Sequence, residues 1–139
     1  FEEVVRSAKD AYQQAGVTSA SDDLMMAEVH DCFTPTKLVL MEDLGFSARG
    51  ETVTDTMNDR FVLTGDLPVN PDGGLKSFGH PIGASGLRML FECWLQLRGE
   101  APANRQIKEK GLRYGLTHNL GGGPGECVSF VSVVGAEIG

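Results

Sequence analysis

Three short apolar runs, at residues 24–29, 112–120 and 127–134, stand among stretches whose apolar residues recur at helical spacing. This alternation constrains the fold more than any other feature. Strand-length runs separated by helices predict an α/β domain, a layered mixed sheet with helices on both faces. Residues 127–134 run apolar through Val128, Phe130, Val131, Val133 and Val134, which predicts a central strand covered on both faces.

The helices have their own punctuation. Val4, Val5, Ala8, Ala11, Tyr12 and Ala15 share one face of a first helix that Gly16 ends, and residues 19–23 read as a polar loop. Thr34-Pro35 opens a second helix, with Pro35 in the first turn where a missing N–H costs little, and Leu38, Val39, Met41 and Leu44 carry it to Gly45. Residues 83–98 form the clearest helix. Leu87, Leu90, Phe91, Trp94, Leu95 and Leu97 make an apolar stripe wide enough to be buried on most sides, and Gly99 caps it. Residues 47–66 read as a polar surface excursion with one short strand at 60–63. Residues 67–74 hold two prolines and two glycines and predict a shaped loop.

At 139 residues, 41% of them hydrophobic, the chain suits one domain over residues 1–139 with a real core. It starts at Phe1 and enters a helical pattern at once, so a piece of something longer is expected. A net charge of −7 argues against non-specific binding to nucleic acid or an anionic membrane, both of which are driven by basic patches. Cys32, Cys93 and Cys127 are odd in number and widely spaced, which predicts free thiols in a reducing, cytoplasmic compartment rather than a disulfide framework. No apolar run approaches the roughly 20 residues that span a bilayer.

Two histidines stand in unusual surroundings: His30 in Val29-His30-Asp31-Cys32-Phe33, and His80 in Gly79-His80-Pro81-Ile82-Gly83. Each falls where a strand or loop gives way to a helix, so its imidazole can project into a cleft. On a strand, residues 30 and 32 would face the same side, pairing an imidazole with a thiol. A buried Cys beside a backbone-bonded His is the plainer reading. Gly79, Gly83 and Gly86 could instead cradle an anion at a helix N-terminus, though no Gly-Lys-Ser/Thr follows and a P-loop is excluded. Gly121 to Gly123, Pro124 and Gly125 lie between two strands, either as a tight turn or as exposed backbone N–H groups aimed at a developing oxyanion. Zinc is a weak option, because His30, Cys32, His80 and Cys127 include no close ligand pair; no metal is expected.

Taken together, His30-Asp31-Cys32-Phe33, the segment from Asn70-Pro71-Asp72-Gly73-Gly74 through Gly79-His80-Pro81-Ile82-Gly83-Ala84-Ser85-Gly86, and His118-Asn119-Leu120-Gly121-Gly122-Gly123 closely resemble the C-terminal half of thiolases. The subgroup is the sterol-carrier-protein type with its bacterial and archaeal relatives. The resemblance implies a thiolase-like C-terminal domain and an acyl-CoA C-acyltransferase activity, either thiolysis or Claisen condensation of a 3-oxoacyl-CoA. It implies coenzyme A thioesters as substrates and no separate cofactor. The nucleophilic cysteine of such enzymes lies in an N-terminal half, which would be a partner of this chain; without it the chain alone is expected to be inactive.

By the same resemblance His80 is the base and thioester-oxygen donor, and His30 helps form the first oxyanion hole, where many relatives carry Asn. Asn119 replaces the second catalytic cysteine of the usual Cys-x-Gly motif, Cys32 takes over proton transfer at the substrate α-carbon, and Gly121 keeps its backbone N–H for the second oxyanion hole. Phe33 and Asn119 are expected to face substrate. A homodimer or larger assembly is expected, with a small zinc-ribbon/OB-fold protein as a further candidate partner. Two other readings are a thiolase-fold retro-aldolase of steroid side-chain breakdown, which would use tyrosines, and a non-catalytic thiolase-like scaffold.

Overall fold

A computed structural model describes residues 1–108, 111, 114–122 and 126–135. The elements run α1 (Glu2–Ala15), α2 (Ala20–Asp23), β1 (Leu24–Glu28), α3 (Thr34–Asp43), α4 (Thr52–Met57), α5 (Gly74–Phe78), α6 (Ser85–Arg98), β2 (Tyr114–Gly121) and β3 (Val128–Gly135). The sheet order is β1-β2-β3, with β1 parallel to β2 and β3 antiparallel to it. Side chains alternate across β2, so the sheet has two faces to cover. Val4 and Ala8 of α1 pack with Ala27, Val29, Leu116 and Val131 on one face. Cys93 of α6 packs with Met25, Met26 and Ile107 on the other. The expected mixed sheet with helices on both faces is what forms.

Three local expectations differ from the outcome. Residues 20–23 are helical because the Asp23 carboxylate accepts the backbone N–H groups of Thr18 (2.7 Å) and Ser19 (3.0 Å), closing the turn that a polar composition hides. Residues 47–66 carry α4 and no strand at 60–63; the Asp55 carboxylate is anchored by the Ser47 hydroxyl at 2.6 Å, and Phe61 turns into the core. The strand at 128–135 is not central among the described residues, since β2 takes the middle place, and Val128 and Phe130 are exposed.

α6 has the expected length and is stopped by Gly99 in the left-handed region. Its buried face, however, is Ser85, Met89, Glu92, Cys93 and Gln96. Glu92 survives burial by taking the Arg105 guanidinium at 3.0 Å, and Gln96 bonds the Ile107 N–H and the Arg105 carbonyl. Most of the apolar stripe points outward, with Leu87 69% exposed, Phe91 57% and Trp94 46%, while Leu95 and Leu97 are half-buried and Leu97 packs on the core.

Candidate active site

The site begins where β1 stops. Beyond Glu28 the strand has no sheet partner among the described residues, and a side chain takes over: Val29 N–H donates to Asn70 Oδ1 at 2.7 Å, and Asn70 Nδ2 donates to the Val29 carbonyl at 3.2 Å. Asn70 can do this because its backbone sits at φ 56, a region Asn tolerates better than most residues. Its own N–H donates to the Ala27 carbonyl at 2.8 Å, so the 68–70 segment lies against β1 and carries it one residue past the sheet. That extension delivers His30.

The next residue locks the other loop. Asp31 Oδ1 accepts the Leu75 N–H at 2.8 Å, fixing the start of α5. Gly74, at φ 65, sits between these anchors; a Cβ there would lie 2.5 Å from both Asn70 Nδ2 and Asp31 Oδ2. Only glycine fits. α5 ends at Gly79, and His80 follows at the surface.

The structure brings His30 and His80 together, with ring centroids 4.7 Å apart and planes at 88°. His80 Nδ1 lies 2.8 Å from Ser85 Oγ, and that hydroxyl donates to the Pro81 carbonyl at 3.2 Å. When the serine proton is directed to Pro81, the His80 Nδ1–H donates to Oγ, and in the neutral tautomer that bears this proton Nε2 is the acceptor. His30 is buried, and its Nδ1 has no hydrogen-bond partner among the described residues. Burial lowers its pKa, the neighbouring His80 lowers it further, and Asp31 opposes both.

Cys32 is a half-buried free thiol in a bend between β1 and α3. β1 has ended four residues earlier, so strand alternation does not set the side of Cys32 relative to His30. Phe33 is exposed at the start of α3. Asn119 and Gly121 stand on β2, and the parallel register Glu28↔Thr117 puts them at the same end of the sheet as His30. This is the carboxyl end of the parallel pair, where α/β sheets place their ligands. Gly86 passes close to Asn119: a Cβ on it would lie 3.3 Å from Asn119 Nδ2, so helix–strand approach accounts for this glycine without an anion. Gly121 is exposed; Gly123, Pro124 and Gly125 lie outside the described residues.

His118 lies close enough to His30 for the second ring's charge to add to the effect of burial on its pKa. It is fully buried on the α1 side of β2, neither ring nitrogen has a partner among the described residues, and burial drops its pKa to about 3. Asn70, Asp31 and Ser85 escaped the sequence reading as site-building residues. The available signal was Asn70 heading a Pro-Asp-Gly-Gly turn, a position that asks for a residue tolerant of positive φ. Among the described residues no group of three or more His, Cys, Asp or Glu is placed to hold a metal ion, and no helix is long and apolar enough to cross a membrane. Clefts of about 470 Å³ between α1 and α3 and about 540 Å³ between α1 and β3 are lined by neither His30 nor His80. Phe33, Phe78 and Ile82, each within three residues in sequence of one of the two histidines, are exposed.

Residues 1–132 match the thiolase C-terminal domain-like family. The acetyl-CoA acetyltransferase of Methanothermobacter thermautotrophicus is 44% identical over 118 residues, covering 85% of this chain and 30% of that protein. Human sterol carrier protein 2 is 40% identical over 122 residues, covering 87% and 21%. A chain of the Ltp2-ChsH2(DUF35) aldolase superposes with a TM-score of 0.75 at 26% identity, covering 96% of this chain and 31% of that one. The sequence thus spans about a third or less of the length of these relatives.

Proposed function

We propose, since this chain belongs to the thiolase C-terminal domain-like family, that it supplies the acid–base half of an acyl-CoA C-acyltransferase whose nucleophilic cysteine lies on an N-terminal half. The observation that carries this reading is the His30–His80 pair, with Ser85 orienting His80 so that Nε2 is free to accept a proton. In condensation, His80 takes the proton of the nucleophilic thiol, the thiolate attacks an acyl-CoA carbonyl, and coenzyme A leaves as its own thiol. Cys32, as its thiolate, then removes a proton from the α-carbon of a second thioester and later returns it to the departing cysteine thiolate. The resulting carbanion attacks the acyl-cysteine, a C–C bond forms and the cysteine thiolate departs. Thiolysis is the reverse. His30 donates N–H to the enolate oxygen, and the Gly121 backbone N–H, with Asn119 beside it, serves the second oxyanion. Coenzyme A and its thioesters are the only small molecules this scheme requires.

The aldolase reading draws on the fold likeness alone. The tyrosines do not support it: the Tyr12 hydroxyl is engaged by the Leu44 carbonyl at 2.7 Å, and Tyr114 opens β2 at the end opposite Gly121. The experiment is CoA-dependent cleavage of acetoacetyl-CoA by the complete protein and its His80→Ala variant. The expected result is cleavage that falls by about 10³-fold in the variant. No cleavage by the complete protein, or an unaffected variant, overturns the proposal.

A further inference from the structure

We propose that Arg88 is a positioning residue for this reaction, its guanidinium joining β1, the 70–74 turn and α5 to the second turn of α6 and thereby holding His80 against His30. The inference rests on the acyltransfer reading. Arg88 Nη1 is ion-paired with Asp72 Oδ2, Nη2 lies 3.5 Å from Glu28 Oε2, and Cζ stands 5.1 Å from the centroid of the Phe78 ring. Each contact reaches a different segment, and each segment leads within two residues to the site. Glu28 is two residues before His30 and Phe78 two before His80. Asp72 uses its other oxygen to accept the Gly74 N–H at 2.8 Å, in the turn that Asp31 and Asn70 close around Gly74. Ser85, three residues before Arg88 on the same helix, holds His80 Nδ1.

The chemistry suits geometry better than it suits stability. Glu28 is fully buried, and among the described residues its carboxylate oxygens have no hydrogen-bond partner, Arg88 being the one cation in ion-pair range. Such a pair stabilises a fold little more than well-packed apolar groups would. A planar guanidinium that stands over an aromatic face, ion-pairs with Asp72 and lies against the Glu28 carboxyl group does fix relative orientation, and a lysine cannot reproduce it. The arrangement therefore predicts that loss of the guanidinium displaces His80 while leaving substrate affinity largely intact.

The test uses the complete protein with three variants: Arg88→Met, Arg88→Lys and Glu28→Gln combined with Arg88→Met. Turnover of acetoacetyl-CoA is measured together with the crystallographic His80 Nδ1–Ser85 Oγ distance. Arg88→Met should lower kcat by about 10²-fold with KM changed by less than about threefold, Arg88→Lys should lower kcat by about tenfold, and the double variant should show no recovery. In the Arg88→Met and Arg88→Lys proteins the His80–Ser85 hydrogen bond should be lost or lengthened. A kcat within about threefold of the unchanged protein in either single variant overturns the proposal. So does an unmoved His80, and so does recovery in the double variant, which would make Arg88 a mere counter-charge to Glu28. If Arg88→Met fails to fold, Arg88→Lys decides. Should the unchanged protein not cleave acyl-CoA at all, the acyltransfer reading fails, while the His80–Ser85 distance still decides the positioning claim.

Discussion

Ser85 selects the nitrogen of His80 that carries the lone pair, and the consequence is measurable. Ser85→Ala in the complete protein should leave the fold intact and reduce kcat by about tenfold, the scale of one neutral hydrogen bond. An unchanged kcat would mean that the ring is oriented by packing alone. Cys32 makes a different prediction. If it moves the α-proton, Cys32→Ala should acylate the nucleophile at near the normal rate but condense or cleave about 10²-fold more slowly; trapping labelled acyl-enzyme against steady-state turnover separates the two steps. His118 bears on stability. Its folded pKa of about 3 lies below its ordinary value, so unfolding takes up a proton between about pH 3 and 6.5. Its contribution is complete above that window and is lost as pH falls through it, by up to about 1.4 kcal/mol per unit. His30, lowered by burial, acts in the same direction. Glu28, pushed up to about 8 by burial against the pull of Arg88, acts oppositely, costing stability as pH rises from its ordinary value towards 8. The difference between the unchanged protein and His118→Leu isolates the first effect. Melting temperature against pH should fall less steeply below pH 6.5 in the variant, and parallel curves would refute the assignment.

Elements differ in how plainly the chain announces them, and Gly74 illustrates the reason. Nothing local to Asp72-Gly73-Gly74 says that two side chains from β1 and the 70-turn will crowd its Cα, yet Gly74→Ala should cost about 2 kcal/mol or more through backbone strain and collision. Denaturant midpoints will test that. The three strands, the three long helices and the family motifs were legible, because period, caps and motif residues are properties of short windows. α6 was read correctly as a helix and wrongly as to face. Its outward stripe is the more apolar one, while the inward face hides Glu92 and Gln96 behind Arg105, a partner thirteen residues away from Glu92 that no periodicity reveals. β3 reads as central by composition but takes an edge among the described residues, since strand order depends on pairing and not on hydrophobicity. At the site, the two histidines stood out by their flanking residues. The Asn70, Asp31 and Ser85 contacts that build their geometry join distant segments and were not visible in the same way.

On the scale of the whole molecule, α6 turns Leu87, Phe91 and Trp94 outward, and Val128 and Phe130 of β3 are exposed as well. Apolar surface of this kind asks for cover. We expect the N-terminal half to supply it on α6, and the complete protein to sediment as a dimer or larger at micromolar concentration. A fully active monomer would refute the assembly. The isolated chain should show no thiolysis of acetoacetyl-CoA, and detectable CoA-dependent cleavage by it would contradict the shared site. The parallel pairing of β1 with β2 carries one more implication, in time rather than space. Leu24–Glu28 must wait for Tyr114–Gly121 across about 90 intervening residues, a closure whose entropy cost is settled before any pairing energy returns. The β2–β3 hairpin needs only a short turn and should form first. His30 and Asn119 therefore reach a common end of the sheet only at a late step of folding, and a chain still emerging from the ribosome would carry both histidine loops before the strand that bears Asn119 and Gly121 has joined them.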